Sequence, residues 1–380
     1  MREAYIVDGV RTAFGRRQGG LSRVRPDDLA AQTLRGLMEK TGLEAAAVED
    51  IRLGCVTQVG EQGFNIGRVA PLVAGFPVDV PGVSINRMCA SSLEAVNQAA
   101  QAIRADVHDL VIAAGVESMS RVPMGSDGST FSEGLLGRFN IVPQGVSAEM
   151  IATRWSLPRE ALDQFSLQSH QRALAAQDSG YFAEEIMPVA TVDGEGRAVT
   201  IAKDEGPRAG TTLEKIGSLK PVFKADGCVT AANSSQITDG AAALLVASED
   251  ALQKHQLKPR ARIAAMAVVG VDPVIMLTGP IPATRKVLDK AGLTFDDIDV
   301  FEINEAFASV VLAWGEEYHP DWSRVNPNGG AIALGHPLGA SGGRLVLTAI
   351  HELERRRGRW GLIAMCIGWG MAVATVIERV

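Results

Sequence analysis

The sequence predicts an α/β protein assembled from two copies of one strand–helix unit, packed about a pseudo-twofold axis in five layers, with an inserted loop domain between the copies. Two observations predict it. A shift of 250 positions carries Arg35, Lys40, Gly42 and Leu43 onto the identical residues Arg285, Lys290, Gly292 and Leu293, and Ala90-Ser91 onto Ala340-Ser341. The same shift lays the apolar sets Val48, Ile51, Leu53 and Val96, Ala100, Ile103 on Ile298, Phe301, Ile303 and Val346, Ile350, Leu353. A constant shift over that many elements marks an internal duplication, and strand–helix alternation within each copy implies a sheet covered by helices. The duplication divides the chain into a first half (1–119 with 239–259), an inserted loop domain (120–238) and a second half (260–380).

In order along the chain, residues 4–9 read as the first strand and 27–40 as a helix stopped by Gly42. Ile51–Val56 is a short strand. A helix begins near Cys89, where Leu93, Val96, Ala100 and Ile103 recur at helical spacing. Asp109–Gly115 and Asp239–Ala247 are apolar runs suited to buried strands. Between them, Gly125-Ser126-Asp127-Gly128-Ser129 opens a segment rich in turn signals, with a helix expected over 158–178. A loop-rich insert beside an active site is a natural substrate cover.

The totals exclude several function classes. At 380 residues the chain exceeds one ordinary core, and 46% hydrophobic with 21% charged residues supplies ample buried surface. A net charge of −7 argues against nucleic acid as the main partner. The start, Met1 to Val7, reads as a strand rather than a targeting signal, and no apolar run reaches membrane-spanning length. Cys55, Cys89, Cys228 and Cys366 are scattered and form no CxxC pair, which suggests a reduced, cytoplasmic protein without metal sites.

Four stretches carry chemistry. Cys89 sits at a helix start, where unpaired N–H groups and the helix dipole favour a nucleophilic thiolate; a free cysteine elsewhere more often packs as a small hydrophobe. His336 lies in the glycine-rich run Asn328–Gly343, and the overlay sets it opposite Asn86 in the Cys89 loop, so base and nucleophile approach one crevice from the two halves. The other histidines, His108, His170, His255, His319 and His351, read as structural. Asn304, in Glu302–Phe307, suits either a turn or a neutral support for an oxyanion. Cys366, in Cys366-Ile367-Gly368-Trp369-Gly370, offers a second thiol beside a turn whose N–H groups face the crevice.

Together, Asn86-x-x-Cys89-Ala90-Ser91, Asn304-Glu305-Ala306-Phe307, Gly335-His336-Pro337-x-Gly339-Ala340-Ser341-Gly342 and Cys366-x-Gly368-x-Gly370 resemble the four signatures of the thiolases, in order and spacing over essentially the whole chain. The resemblance implies the duplicated five-layer αβαβα thiolase fold and thiolytic cleavage of 3-ketoacyl-CoA, or the reverse Claisen condensation, by a ping-pong route. Carried over, Cys89 takes the acyl group, and His336 activates it. With a water held by Asn304, His336 also binds the thioester oxygen during condensation. Cys366 moves the proton of the acetyl α-carbon or the CoA thiol, and the N–H groups of Cys89 and Gly368 form a second oxyanion hole. Arg208 and Ser235 align with positions that touch CoA. CoA and acyl-CoA are substrates, with no tightly bound cofactor, and a homodimer or homotetramer is implied.

The chain departs from the pattern in three places. Trp369 stands where glycine is common, setting a bulky ring beside the oxyanion turn, and Ser92 replaces a usual glycine. Pro143-Gln144-Gly145 replaces the His-Met-Gly pattern of short-chain biosynthetic enzymes. A degradative 3-ketoacyl-CoA thiolase is therefore expected. The alternatives are an acetoacetyl-CoA thiolase, a decarboxylating ketoacyl synthase (disfavoured by Asn304 and Cys366), and a silent thiolase-like lipid-binding protein with Trp369 obstructing its site.

Overall fold

The computed structural model describes residues 2–128 and 130–380; Met1, at the start of the Met1–Val7 stretch, and Ser129, at the end of the glycine-rich stretch, lie outside it. The longer strands, in chain order, are β1 (Tyr5–Thr12), β2 (Asp50–Gly54), β3 (Gly82–Ile85), β4 (Leu110–Ser118), β5 (Thr238–Ala247), β6 (Ala261–Gly270), β7 (Val300–Ile303), β8 (Trp360–Ile367) and β9 (Met371–Arg379). They run side by side in the order β7-β8-β9-β6-β1-β5-β4-β2-β3.

That order contains the duplication. In the first half, β1 pairs antiparallel with β5, β5 antiparallel with β4, and β4 parallel with β2. In the second half β6, β9, β8 and β7 repeat the same succession of antiparallel, antiparallel and parallel pairings. The halves join through a short antiparallel contact of β1 with β6, Tyr5 opposite Arg262 and Ile6 opposite Ala261. The copies differ at β3, because the corresponding stretch of the second half forms the short helix Ala331–Leu334 instead of a strand.

Equivalent helices start and stop alike. Pro26–Thr41 and Pro280–Ala291 each begin with proline at the first turn and end at a left-handed glycine, Gly42 (φ 65) and Gly292 (φ 66). Glycine bears that conformation without the β-carbon clash.

Helices Ser91–Arg104 and Ser341–Arg356 form the middle layer. Leu93, Val96 and Ile103 of the first pack with Leu345, Val346 and Ile350 of the second in one core shared by both halves. They approach so closely that a β-carbon on Gly342 would sit 2.3 Å from the Leu93 nitrogen. Ser92 uses the same proximity, its Oγ accepting the Gly343 N–H at 2.9 Å. Two further cores lie on the outer faces of the sheets, one under Leu29, Leu34 and Leu37, the other under Val287, Leu288 and Trp314.

The insert is less loop-like than its turn signals suggested. It carries the helices Gln144–Arg154 and Arg159–Asp178, the latter within a residue of expectation. It is fastened to the first half by buried Arg11, whose guanidinium donates to Asp204 (2.8 and 3.0 Å) and Glu185 (3.0 Å). Among the described residues, no helix is long and apolar enough to cross a membrane.

Candidate active site

The nucleophile loop is locked by its own side chains. Met88 takes a left-handed conformation (φ 46), which costs a non-glycine residue about 1–2 kcal/mol. Asn86 holds it there, its Oδ1 accepting the Met88 N–H (2.8 Å) and its Nδ2 donating to the Val56 carbonyl (3.0 Å). Ser91 closes the turn by donating to the Met88 carbonyl (2.6 Å) and accepting the Arg87 N–H (3.0 Å). Cys89 is thereby presented just ahead of the central helix.

The expected thiolate is not what this site favours. Cys89 is buried beneath Val56, Met119 and Leu338, and burial pushes its thiol up to about 11. The N–H groups of Gly368 and of Cys89 itself bond the sulfur and oppose that rise, and no cation offsets the loss of water.

The second half answers with the equivalent serine. The Ser341 hydroxyl donates to the Pro337 carbonyl (2.9 Å), so its oxygen must accept from the His336 Nδ1, 2.6 Å away. That leaves the proton on Nδ1 and makes Nε2 the unprotonated nitrogen, with its lone pair available. Burial and the charge of Arg344 push His336 down to about 3, so the imidazole is neutral at physiological pH.

Asn304, just past the end of β7, sets its Nδ2 3.4 Å from His336 Nε2, while its buried Oδ1 has no partner. Cys366 lies near the end of β8, where burial first and neighbouring Cys89 second raise its thiol. Gly368 follows in the turn to β9; a β-carbon there would meet Gln144 Nε2 at 2.8 Å.

Cys89 stands where two recesses meet. One, of about 180 Å³, is lined by Cys89, His336, Ser235 and Phe307. The other, about 510 Å³, runs from Cys89 and Gly368 outward to Phe131 and Trp369. Trp369 does not close the site, because its ring forms part of this cavity's wall. On the opposite side Ser235 belongs also to a recess lined by Arg16, Arg17 and Arg208. Arg208 in turn shares one with Lys215 and His170, where His170 Nδ1 accepts the Arg208 N–H at 3.2 Å. Five of the seven residues singled out by sequence, Cys89, Gly368, His336, Ser235 and Arg208, thus line this series of recesses, while Asn304 and Cys366 are fully buried behind it, Asn304 beside His336 and Cys366 near Cys89.

Sequence reasoning missed Glu117, Ser341's locking role, and Arg16 with Arg17. The Glu117 carboxylate accepts N–H groups from Val56 (3.0 Å), Thr57 (3.1 Å) and Gly339 (2.9 Å), tying the first-half floor of the site to the second-half histidine loop. The Ser91–Ser341 identity in the overlay was the available signal for the shared lock.

The chain matches the thiolase N-terminal domain over residues 4–250 and the thiolase C-terminal domain over residues 257–379. It belongs to the thiolase family. It is similar to the beta-ketoadipyl-CoA thiolase of Acinetobacter baylyi, 48% identical with both chains fully covered. It is also similar to the steroid 3-ketoacyl-CoA thiolase FadA6 of Mycobacterium tuberculosis, 49% identical over all of this chain and 95% of that one. Among solved structures, the acetyl-CoA acetyltransferase of Bacillus anthracis superposes with a TM-score of 0.93 at 38% identity, covering 100% of this chain and 99% of that one. The thiolase fold and a CoA-dependent acyltransferase activity follow from these matches.

Proposed function

We propose that this thiolase degrades 3-ketoacyl-CoA, transferring the shortened acyl group through Cys89 to free CoA. The observation that carries the reading is the series of recesses itself, cationic at Arg16, Arg17 and Arg208, reactive at Cys89 and His336, and apolar beyond. Those ends match CoA phosphates, a thioester and an acyl chain respectively.

In the first half-reaction His336 Nε2 takes the thiol proton as the Cys89 sulfur attacks the 3-keto carbon. The oxyanion is met by the N–H groups of Cys89 and Gly368, already directed at the sulfur. The bond between C2 and C3 breaks, and Cys366 gives its proton to the departing α-carbon, releasing acetyl-CoA. In the second, Cys366 removes the proton of incoming CoA, whose sulfur attacks the acyl-cysteine; the shortened acyl-CoA leaves and Cys89 regains its proton from His336. A water on the unpartnered Asn304 Oδ1, beside His336, would stabilise the thioester oxygen during enolate formation.

A cavity of about 510 Å³ has room for far more than an acetyl group, which favours degradation over acetoacetyl-CoA synthesis. Self-association fits the outer edge of β3, beyond which no further strand lies among the described residues and which is flanked by Phe64 (98% exposed), Leu72 and Val78. Four free thiols suit the cytoplasm. Steady-state thiolysis over a series of 3-ketoacyl-CoA lengths tests the reading: activity rising beyond four carbons supports it, and CoA-independent or absent cleavage overturns it.

A further inference from the structure

Resting on that reading, the geometry points to the class of acyl chain: bulky, apolar and uncharged to its far end, selected by Trp369 with Phe131, whereas chains ending in a carboxylate are rejected. The relatives named above are named for different substrates, one a beta-ketoadipyl thioester, which ends in a carboxylate, the other a steroid 3-ketoacyl thioester.

The cavity decides by its chemistry. Beyond Cys89 its wall is built from Met88, Met124, Ile141, Phe131 and Trp369, and the described lining residues include no arginine, lysine or histidine. The one charged lining residue is Asp127, which repels an anion. A carboxylate drawn into this space exchanges its hydration for methyl and ring surface with no counter-charge. Gln144, the only amide on the wall, sits near Gly368 at the reactive end.

Trp369 carries the positive part of the inference. It holds φ +67, immediately before Gly370 at φ +77, a backbone conformation that a β-branched or bulky side chain rarely adopts. The strained position sets its ring edge-on to Phe131, centroids 5.0 Å apart and planes at 79°. Both rings remain substantially uncovered, Trp369 37% and Phe131 49% exposed, on a surface continuous with the nucleophile. The uncovered pair is the contact surface for an apolar acyl group, and the cavity lies within the range of about 300–1,000 Å³ that drug-sized ligands occupy.

The experiment compares kcat/KM for thiolysis of 3-ketodecanoyl-CoA, its ω-carboxylated counterpart of equal length, and a cyclohexyl-terminated 3-ketoacyl-CoA, in wild type, Trp369→Gly and Phe131→Ala. Wild type is expected to prefer both uncharged substrates over the ω-carboxylate by at least roughly 100-fold. Each variant is expected to narrow that preference mainly through KM for the uncharged chains, and Asp127→Lys to narrow it by improving the ω-carboxylate. Equal or better turnover of the ω-carboxylate overturns the inference while leaving the thiolase reading intact, and a preference unmoved by both aromatic substitutions removes the selecting role of the pair. No cleavage of any substrate, with no acyl group on Cys89, overturns the underlying reading itself.

Discussion

Cys89 and His336 line one recess, and their expected resting state is a thiol and a neutral imidazole rather than a thiolate–imidazolium ion pair. The thiol is pushed up to about 11 and the imidazole down to about 3. Moving the proton from sulfur to Nε2 before substrate arrives is then uphill by on the order of 10 kcal/mol, eight pH units (11 less 3) at about 1.4 kcal/mol each. A thiol at 11 is ionised to about one part in ten thousand at pH 7, against a few per cent for an ordinary cysteine. The perturbation is a pH titration of wild type and Cys89→Ala, and the assay is the ultraviolet absorbance of thiolate in the difference between them. No Cys89 thiolate should appear from pH 5 to 9, with the signal rising only above that range. A His336→Asn variant should leave that silent region unchanged, because the histidine acts in the transition state. A thiolate signal already present at pH 6 and abolished by His336→Asn would refute the reasoning, since it would mean that the pair exchanges its proton before substrate arrives.

Three other outcomes follow from the same geometry. Because the folded-state pKa of His336 is depressed, the unfolded chain takes up its proton first as pH falls below about 6.5, and stability is lost from there down towards pH 3. Urea unfolding at pH 7 and pH 5 should therefore show wild type losing about 2 kcal/mol more than His336→Asn over that interval. Cys366→Ala should still accept an acyl group on Cys89, while exchange of the acetyl-CoA α-proton, followed by deuterium incorporation, drops by orders of magnitude; surviving exchange would place the base elsewhere. Phe64→Asp, charging the exposed rim beside β3, should shift sedimentation towards a monomer without loss of fold, and an unchanged assembly would remove that edge as the interface.

Much of this was legible in the sequence because duplication and catalysis leave local marks. The shift of 250 placed Gly42 on Gly292 and the Cys89 helix on the helix after His336, and the sheet pairings repeat accordingly. What failed depended on distant packing. The Cys89 environment is capped by Val56, Met119 and Leu338, so a local argument from the helix start missed the burial that dominates its ionisation. Ala331–Leu334 reads equally as a strand or a helix by composition, and only its surroundings choose the helix. Trp369 looked obstructive beside Gly368 because its left-handed backbone, which sets the ring against Phe131, has no signature in the residue itself.

The central claim is that Cys89 carries the acyl group between two CoA thioesters. Mass spectrometry of the enzyme mixed with acetyl-CoA, followed by peptide mapping, tests it most directly. The account predicts one acetyl adduct on the peptide containing Cys89, absent in Cys89→Ala and discharged by free CoA. An adduct elsewhere, or none on a folded protein, would contradict it.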